Sequence, residues 1–256
     1  MYILTVIPLS KGIQKDELTY FSAKEIEVGS IVRVPMRSKT IDAIVINKEN
    51  ANERKSELKN ASFELKKIES SKGKPPYKES FFKACEKMAQ YSGATTGSVI
   101  SALLPAVLIE KFSELKHKDI ELGSERPSVK EERLIFQALL PDRLSWYRTL
   151  IREAFAKKES VFICVPTRYD IDQYYEAFSK GIDQYVFKFN SEITKKNLIA
   201  DFNKVVNEEH PILIIGTGPF LCIPRHDVRT IIVEHESSSA YKQISRPFID
   251  MRTLAE

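Results

Sequence analysis

Glu234, His235 and Glu236 stand in a row directly after the apolar run 230–233 (TIIV). Carboxylates at a strand end can hold a divalent cation or take a proton, and imidazole can ligate a metal or act as a base. Three adjacent side chains at a strand end do not converge on one ion, so the triplet alone makes no metal site. The usual companion of such an acidic strand end is a phosphate loop with the spacing G-x-x-x-x-G-K-[ST]. Its glycine N–H groups cradle phosphates, its Lys reaches the β/γ oxygens and its hydroxyl holds Mg²⁺. The nine glycines stand at 12, 29, 73, 93, 97, 123, 181, 216 and 218, and none opens that spacing. The Gly73-Lys74 pair is followed by Pro75. Without that loop the strand end lacks the usual means of holding and hydrolysing ATP.

The elements that position these groups fall into two parts. Residues 1–70 read as short strands at 2–8, 17–21, 30–35 (SIVRVP), 40–47 (TIDAIVIN) and 63–68 (FELKKI), with a charged loop over 48–62. Five short strands in such a span suit a small β-barrel or sandwich. Residues 69–77 (ESSKGKPPY) break the pattern, and helices follow over 78–91 and 98–104. The polar stretch 113–131 reads as a linker between domains at 1–112 and 132–256. From there strands at 133–139, 160–165 (SVFICV), 184–189, 211–215 (PILII) and 230–233 alternate with helices at 143–157, 170–179 and 192–207, and a last helix covers 250–256. Uniformly apolar strands between helices predict a parallel sheet covered on both faces. The expected fold is an α+β domain with a small β-barrel-like sheet and helices, followed by a doubly wound α/β domain.

Bulk properties exclude some classes. The net charge of +4 comes from 39 basic and 35 acidic residues, and mean hydropathy is −0.26. That balance is ordinary for a globular chain and too mild to prove a nucleic-acid partner. Cys85, Cys164 and Cys222 have neither zinc spacing nor a disulfide framework, and the latter two sit in apolar runs. No apolar run approaches about 18 residues, so no membrane span is expected. The start, MYILTVIPLSKG, reads as a strand rather than a leader, which points to the cytoplasm. His117, His210 and His226 have no partners in sequence, and Tyr169, Tyr174, Tyr175 and Phe178 have the spacing of a packed helix face.

Two blocks carry a family resemblance. The first is Val6-Ile7-Pro8-Leu9, Leu18-Thr19-Tyr20, residues 28–35 (VGSIVRVP), Ala43-Ile44-Val45 and Ala102-Leu103-Leu104-Pro105. It resembles the N-terminal 3′ DNA-binding domain of primosomal protein N′ (PriA), the replication-restart helicase family. The second is Ile214-Ile215-Gly216-Thr217, residues 231–236 (IIVEHE) and Tyr241-Lys242-Gln243. It resembles the DEAH-type first motor lobe of that family, which is RecA-like, with its G-T-R, D-E-E-H and Y-K-Q segments. The resemblance implies a pocket that receives the 3′ end of a nascent strand at a fork. Thr19 and Tyr20 match the family's aromatic-Asp-Tyr segment, in which Leu18 replaces the aromatic. Met36-Arg37 stands where the family often has an aromatic and Gly, and Lys66 matches a family Lys. Thr19, Tyr20, Arg37 and Lys66 are thus the nucleic-acid-binding candidates. Arg33, within a strand, is assigned a surface role.

The departures lie at the nucleotide site. Residues 139–144 (LLPDRL) stand where the phosphate loop is expected, with Arg143 for the Lys and Leu144 for the hydroxyl. Glu234, His235 and Glu236 stand at degenerate D-E-E-H positions, and Gly218 replaces the Arg of G-T-R. Arg143 is expected to pair with Glu234 as a relic of the Lys–phosphate–Asp arrangement. No counterpart of the family's winged helix, second motor lobe or zinc cysteines is evident, so the chain reads as a reduced relative or as part of a longer product.

The expectation is a PriA-like protein that binds forked or 3′-ended DNA in replication restart, with no ATPase of its own, no cofactor and no metal. Replication-restart proteins are its expected protein partners. Two alternatives stay open: a divergent or truncated ATP-dependent 3′–5′ DNA helicase, with ATP and Mg²⁺ as cofactors, and an interaction scaffold without DNA affinity.

Overall fold

The structure, a computed structural model, describes residues 1–13, 15–51, 65–73, 77, 79–115 and 132–256. The expected loop over 52–62, the first two residues of the expected strand at 63–68, Lys78, His117 and most of the expected linker lie outside the described residues. The chain divides into two compact units, Met1–Leu115 with Ser239–Glu256, and Lys116–Ser238. Among the described residues, no helix is long and apolar enough to cross a membrane.

The first unit is built on a mixed sheet of six short strands: β1 Tyr2–Pro8, β2 Leu18–Ser22, β3 Ile31–Met36, β4 Lys39–Asn50, β5 Lys66–Lys67 and β6 Ser70–Gly73. Their order is β5-β2-β1-β4-β3-β6. β1 is antiparallel to both β2 and β4, and β3 is antiparallel to β4 and β6. β5 runs parallel to β2. Since β5 and β6 are almost consecutive in sequence, one short segment serves both edges of the sheet. Ile68 N–H donates to Phe21 O at 3.0 Å, and the next residue, Glu69, donates to Arg33 O at 2.9 Å. This crossover curls the sheet. Alternation fills its concave side with Leu4, Val6, Tyr20, Val32, Val34, Ala43, Val45 and Ile68. Gly29, at φ +88°, turns the chain into β3 and donates to Val45 O at 2.7 Å.

Helices α1 Glu79–Ser92, α2 Thr96–Leu103 and α3 Ala106–Glu110 follow. α2 starts at Thr95, whose side chain accepts from Ser98 N–H. It lies directly on β1, and only glycine permits that approach. A Cβ on Gly97 would stand 2.0 Å from the Pro8 carbonyl oxygen. The closing segment Ser239–Glu256 belongs to this unit, with its helix against α1, whereas the sequence pattern runs it on from the second part.

The second unit holds a four-stranded sheet: β7 Ser160–Cys164, β8 Val186–Phe189, β9 Leu213–Gly216 and β10 Val228–Val233. All pairings are parallel, in the order β10-β7-β9-β8. Helices α4 Leu140–Ala156, α5 Arg168–Phe178 and α6 Lys195–Asn207 accompany it. Val161, Ile163 and Val165 join a core with Tyr147, Ile151, Ile171, Tyr174 and Phe178. The opposite-parity residues Phe162 and Cys164 are buried too, so β7 is covered on both faces, as its apolar run requires. A capping box between Thr167 and Asp170 starts α5, and Thr194 caps α6. The structure thus has an α+β unit and a parallel α/β unit, as the strand pattern predicts.

One strand expectation fails. Residues 133–139 carry no strand. Leu134, Ile135 and Leu139 are exposed, and Phe136 instead stacks on Trp146 at 4.8 Å. The run RLIFQALL does not alternate, and without a covered face an apolar segment gains nothing by extending. Tyr169 also departs from the packed-face reading: it is exposed, beneath the Arg168 guanidinium at 4.5 Å, while Tyr174 and Phe178 are core.

Candidate nucleic-acid interface

The curled sheet has a recess of about 380 Å³ at one end, lined by Lys15, Glu17, Leu18, Thr19, Tyr20, Pro35, Met36, Arg37 and Lys66. It gathers all four candidates read from the sequence. Thr19 and Tyr20 come from β2, and Lys66 is brought beside them by the parallel register that sets it opposite Tyr20. Arg37 stands in the two-residue turn between β3 and β4, whose Met36 and Lys39 are paired. Arg33 is exposed and is not part of the lining.

Each wall is held by a nameable contact. Tyr20 is buried in the sheet core, and its hydroxyl donates to Pro35 O at 3.1 Å, joining β2 to the end of β3. Burial raises its pKa, so it stays a neutral donor. Its ring forms floor rather than an open stacking face. The segment before β2 is tied to α2: Asp16 Oδ1 accepts from Thr96 N–H at 3.1 Å, and Thr95 Oγ1 donates to Ile13 O at 3.4 Å. The acidic side chain there also suits the positive end of α2. Lys15 and Glu17, either side of Asp16, are placed on the rim by that anchor. Composition did not single out Lys15; its sequence signal was a cation three residues ahead of the Leu18-Thr19-Tyr20 segment.

Arg37 has φ +53°. A two-residue hairpin turn with one left-handed residue prefers glycine there, and a side chain with a Cβ costs about 1 kcal/mol. A long cationic side chain thus stands at a backbone position that glycine would fill without strain. The recess carries three cations against one carboxylate. Its hydroxyl and carbonyl groups suit sugar and base edges, and its cations suit phosphate.

In the second unit Arg143 and Glu234 hold one another. Arg143, in the first turn of α4, has its Nη2 2.8 Å from Glu234 Oε1 and donates from Nη1 to Ala138 O at 2.8 Å. Glu234 is buried at the end of β10, and its Oε2 accepts from the Tyr147 hydroxyl at 2.5 Å. Burial, then the Glu234 carboxylate, raise the pKa of Tyr147 and of Tyr174 beside it. Both phenols stay protonated. Burial works against the Arg143 charge, but Glu234 together with the Tyr174 and Tyr147 hydroxyls outweighs it and the pKa is raised. His235 Nε2 lies 3.3 Å from Arg143 Nη2 at φ +49°, and Glu236 is exposed. The expected Arg143–Glu234 pair is present.

Leu139 caps α4 without a side-chain acceptor or donor, and Pro141 in its first turn has no N–H. The first turn of α4 presents a guanidinium paired with Glu234. Among the described residues, no group of three or more His, Cys, Asp or Glu side chains is arranged to hold a metal ion. All three cysteines are buried thiols, and burial pushes that of Cys222 up to about 12. A larger open groove of about 1030 Å³ runs between β8 and α6. Its cations pair locally, Lys188 with Asp172 at 2.9 Å and Lys204 with Asp201 at 3.8 Å, so it lacks the unmatched charge of the recess.

Residues 6–105, most of the first unit, match the family model described as 3′DNA-binding domain (3′BD). The likeness to known proteins continues beyond that stretch and is to PriA. Replication restart protein PriA of Helicobacter pylori (strain ATCC 700392 / 26695) is 24% identical over 266 residues, covering 99% of this chain and 40% of the relative. Replication restart protein PriA of Rickettsia prowazekii (strain Madrid E) is 23% identical over 271 residues, covering 98% of this chain and 39% of the relative. The resemblance carried by the two sequence blocks is borne out. The chain spans about 40% of the length of the curated relatives it matches. Every residue of the recess falls inside the matched domain.

Proposed function

We propose that this chain is a PriA-like DNA-binding protein of replication restart, which receives a 3′ strand end in the recess of its first unit. The observation that carries the reading is the meeting of Thr19, Arg37 and Lys66 around one concavity within the matched 3′DNA-binding domain. Arg37 and Lys66 take backbone phosphate, Thr19 hydrogen-bonds the terminal sugar or base edge, and Tyr20 supplies a rigid floor. The volume suits a terminal nucleotide rather than a length of strand, being near the lower limit of small-ligand clefts. Its setting is the cytoplasm, where replication-restart proteins meet the same fork.

The second unit acts in this reading as a RecA-like lobe without its own ATP turnover. The Arg143–Glu234–Tyr147 cluster supports that part, since the groups that would face Mg²⁺ and phosphate are satisfied by each other.

Binding of the purified chain to a fork with a free 3′ end, measured by anisotropy against a fork whose 3′ end carries a bulky block, tests the reading. The free end is expected to bind roughly five- to tenfold more tightly, the worth of one ordinary hydrogen bond. The advantage should persist as salt rises, because counterion release weakens both forks alike. Equal, wholly salt-dependent affinities would overturn the end-binding claim. ATP hydrolysis stimulated by single-stranded DNA and lost in Glu234→Gln would overturn the second part.

A further inference from the structure

We infer that the recess discriminates between kinds of strand end, binding a 3′ terminus that carries a phosphate more tightly than one that carries a hydroxyl. The inference rests on the end-binding reading above and adds the chemistry of the terminus. Three cations, Lys15, Arg37 and Lys66, share a cavity of about 380 Å³ with a single carboxylate, Glu17. Among the described residues none of the three is ion-paired. A hydroxyl end offers such a cavity one diester charge, one bond inside the terminus. A terminal phosphomonoester adds about 1.5 to 2 further negative charges and three acceptor oxygens. That charge matches the surplus on the wall.

Arg37 points to the same ligand. A guanidinium presents a planar fork of donors that suits phosphate oxygens in pairs. It stands at a turn position with φ +53°, where glycine would be unstrained and would leave the recess wider and less charged. The neighbouring walls cannot take the role: Leu18, Pro35 and Met36 have no charge, and the Tyr20 hydroxyl is committed to Pro35 O. Thr19 remains to donate to a phosphate oxygen or to the sugar.

The test uses the full chain and one oligonucleotide sequence in four forms: 3′-hydroxyl, 3′-phosphate, 5′-phosphate with a blocked 3′ end, and blocked with no terminal phosphate. Inorganic phosphate alone serves as competitor. The 3′-phosphate form is expected to bind about tenfold tighter than the 3′-hydroxyl form, the scale of a charge-assisted hydrogen bond. In Arg37→Asn, whose residue tolerates the left-handed backbone, that ratio is expected to fall towards one. Arg37→Lys is expected to keep part of it. The thermal midpoint of Arg37→Asn should not fall, which separates lost binding from lost folding. Equal binding of the two 3′ forms, both above the blocked form, overturns the phosphate preference and leaves end binding intact. A 5′-phosphate as effective as a 3′-phosphate, or full displacement of every form by inorganic phosphate at equal concentration, also overturns it as mere charge attraction. If no form exceeds the blocked one, the end-binding reading itself fails.

Discussion

Replacing Asp227 by Ala is expected to destabilise the α/β unit by about 3–5 kcal/mol, the cost of stranding a buried charge. Arg225 and Asp227 are both buried, and two guanidinium nitrogens of Arg225 grip the two carboxylate oxygens. Asp227 also accepts from Ser160 Oγ at 2.6 Å, and Ser160 Oγ accepts from Ile212 N–H at 2.9 Å. Arg225 Nη1 reaches Val205 O at 2.6 Å and Glu208 O at 2.8 Å, where α6 ends with unpaired carbonyls. One cation thus joins the start of β7, the approach to β9 and the end of α6. Removing the carboxylate leaves the guanidinium buried with neutral acceptors, backbone carbonyls and the Ser160 hydroxyl. Trp146, the single tryptophan, lies in α4 of this unit, so its fluorescence in urea reads the loss directly. An unchanged midpoint would show the network to be dispensable. The same pair predicts an acid limb. Burial alone would raise the Asp227 pKa, but hydrogen bonds from Arg225 and Ser160 overcome it and hold it below the ordinary carboxylate value. A depressed folded-state pKa means stability that is complete above the unfolded value near about 4 and lost as pH falls through the folded one. Asp227→Asn should flatten that limb.

Gly97→Ala is expected to cost about 3 kcal/mol in the first unit, at the upper end of ordinary overpacking. The added methyl would meet the Pro8 carbonyl oxygen at 2.0 Å and the Ile7 side chain at 3.0 Å. The first obstacle is backbone, so no rotamer relieves it, and α2 must lift from β1. The N-terminus of α2 anchors Asp16, so the rim that carries Lys15 and Glu17 should loosen with it. Amide exchange across β1 and α2 should rise, and DNA-end affinity should fall, while the Trp146 transition of the other unit stays in place. Native exchange rates in β1 would contradict this packing account.

Much of the fold was legible because the period of the apolar residues reports what each element buries. The all-apolar run at 160–165 predicted a strand covered on both faces, and β7 is one. The patterns at 30–35 and 40–47 predicted two strands, and β3 and β4 form there, paired as a hairpin. The crossover through β5 and β6 was not legible. Its residues, KKIESSKG, carry one apolar side chain, and the segment is held by backbone bonds to two distant strands. Residues 133–139 misled for the converse reason: apolar content without alternation gave a strand where no face is covered. At the recess, motif position located Thr19, Arg37 and Lys66, but the left-handed turn at Arg37 could not be read from an Arg-Ser pair. Tyr20 had the alternation of either a core or a contact residue, and only burial decided for floor.

The most direct test of the central claim is to attach a photoreactive group to the 3′-terminal nucleotide of a fork, cross-link it to the full chain and map the adducts by mass spectrometry. The account predicts adducts concentrated on residues 15–20, 35–37 and 66, and their loss when the 3′ end is blocked. Adducts spread over other surfaces, or a pattern indifferent to the state of the 3′ end, would contradict it.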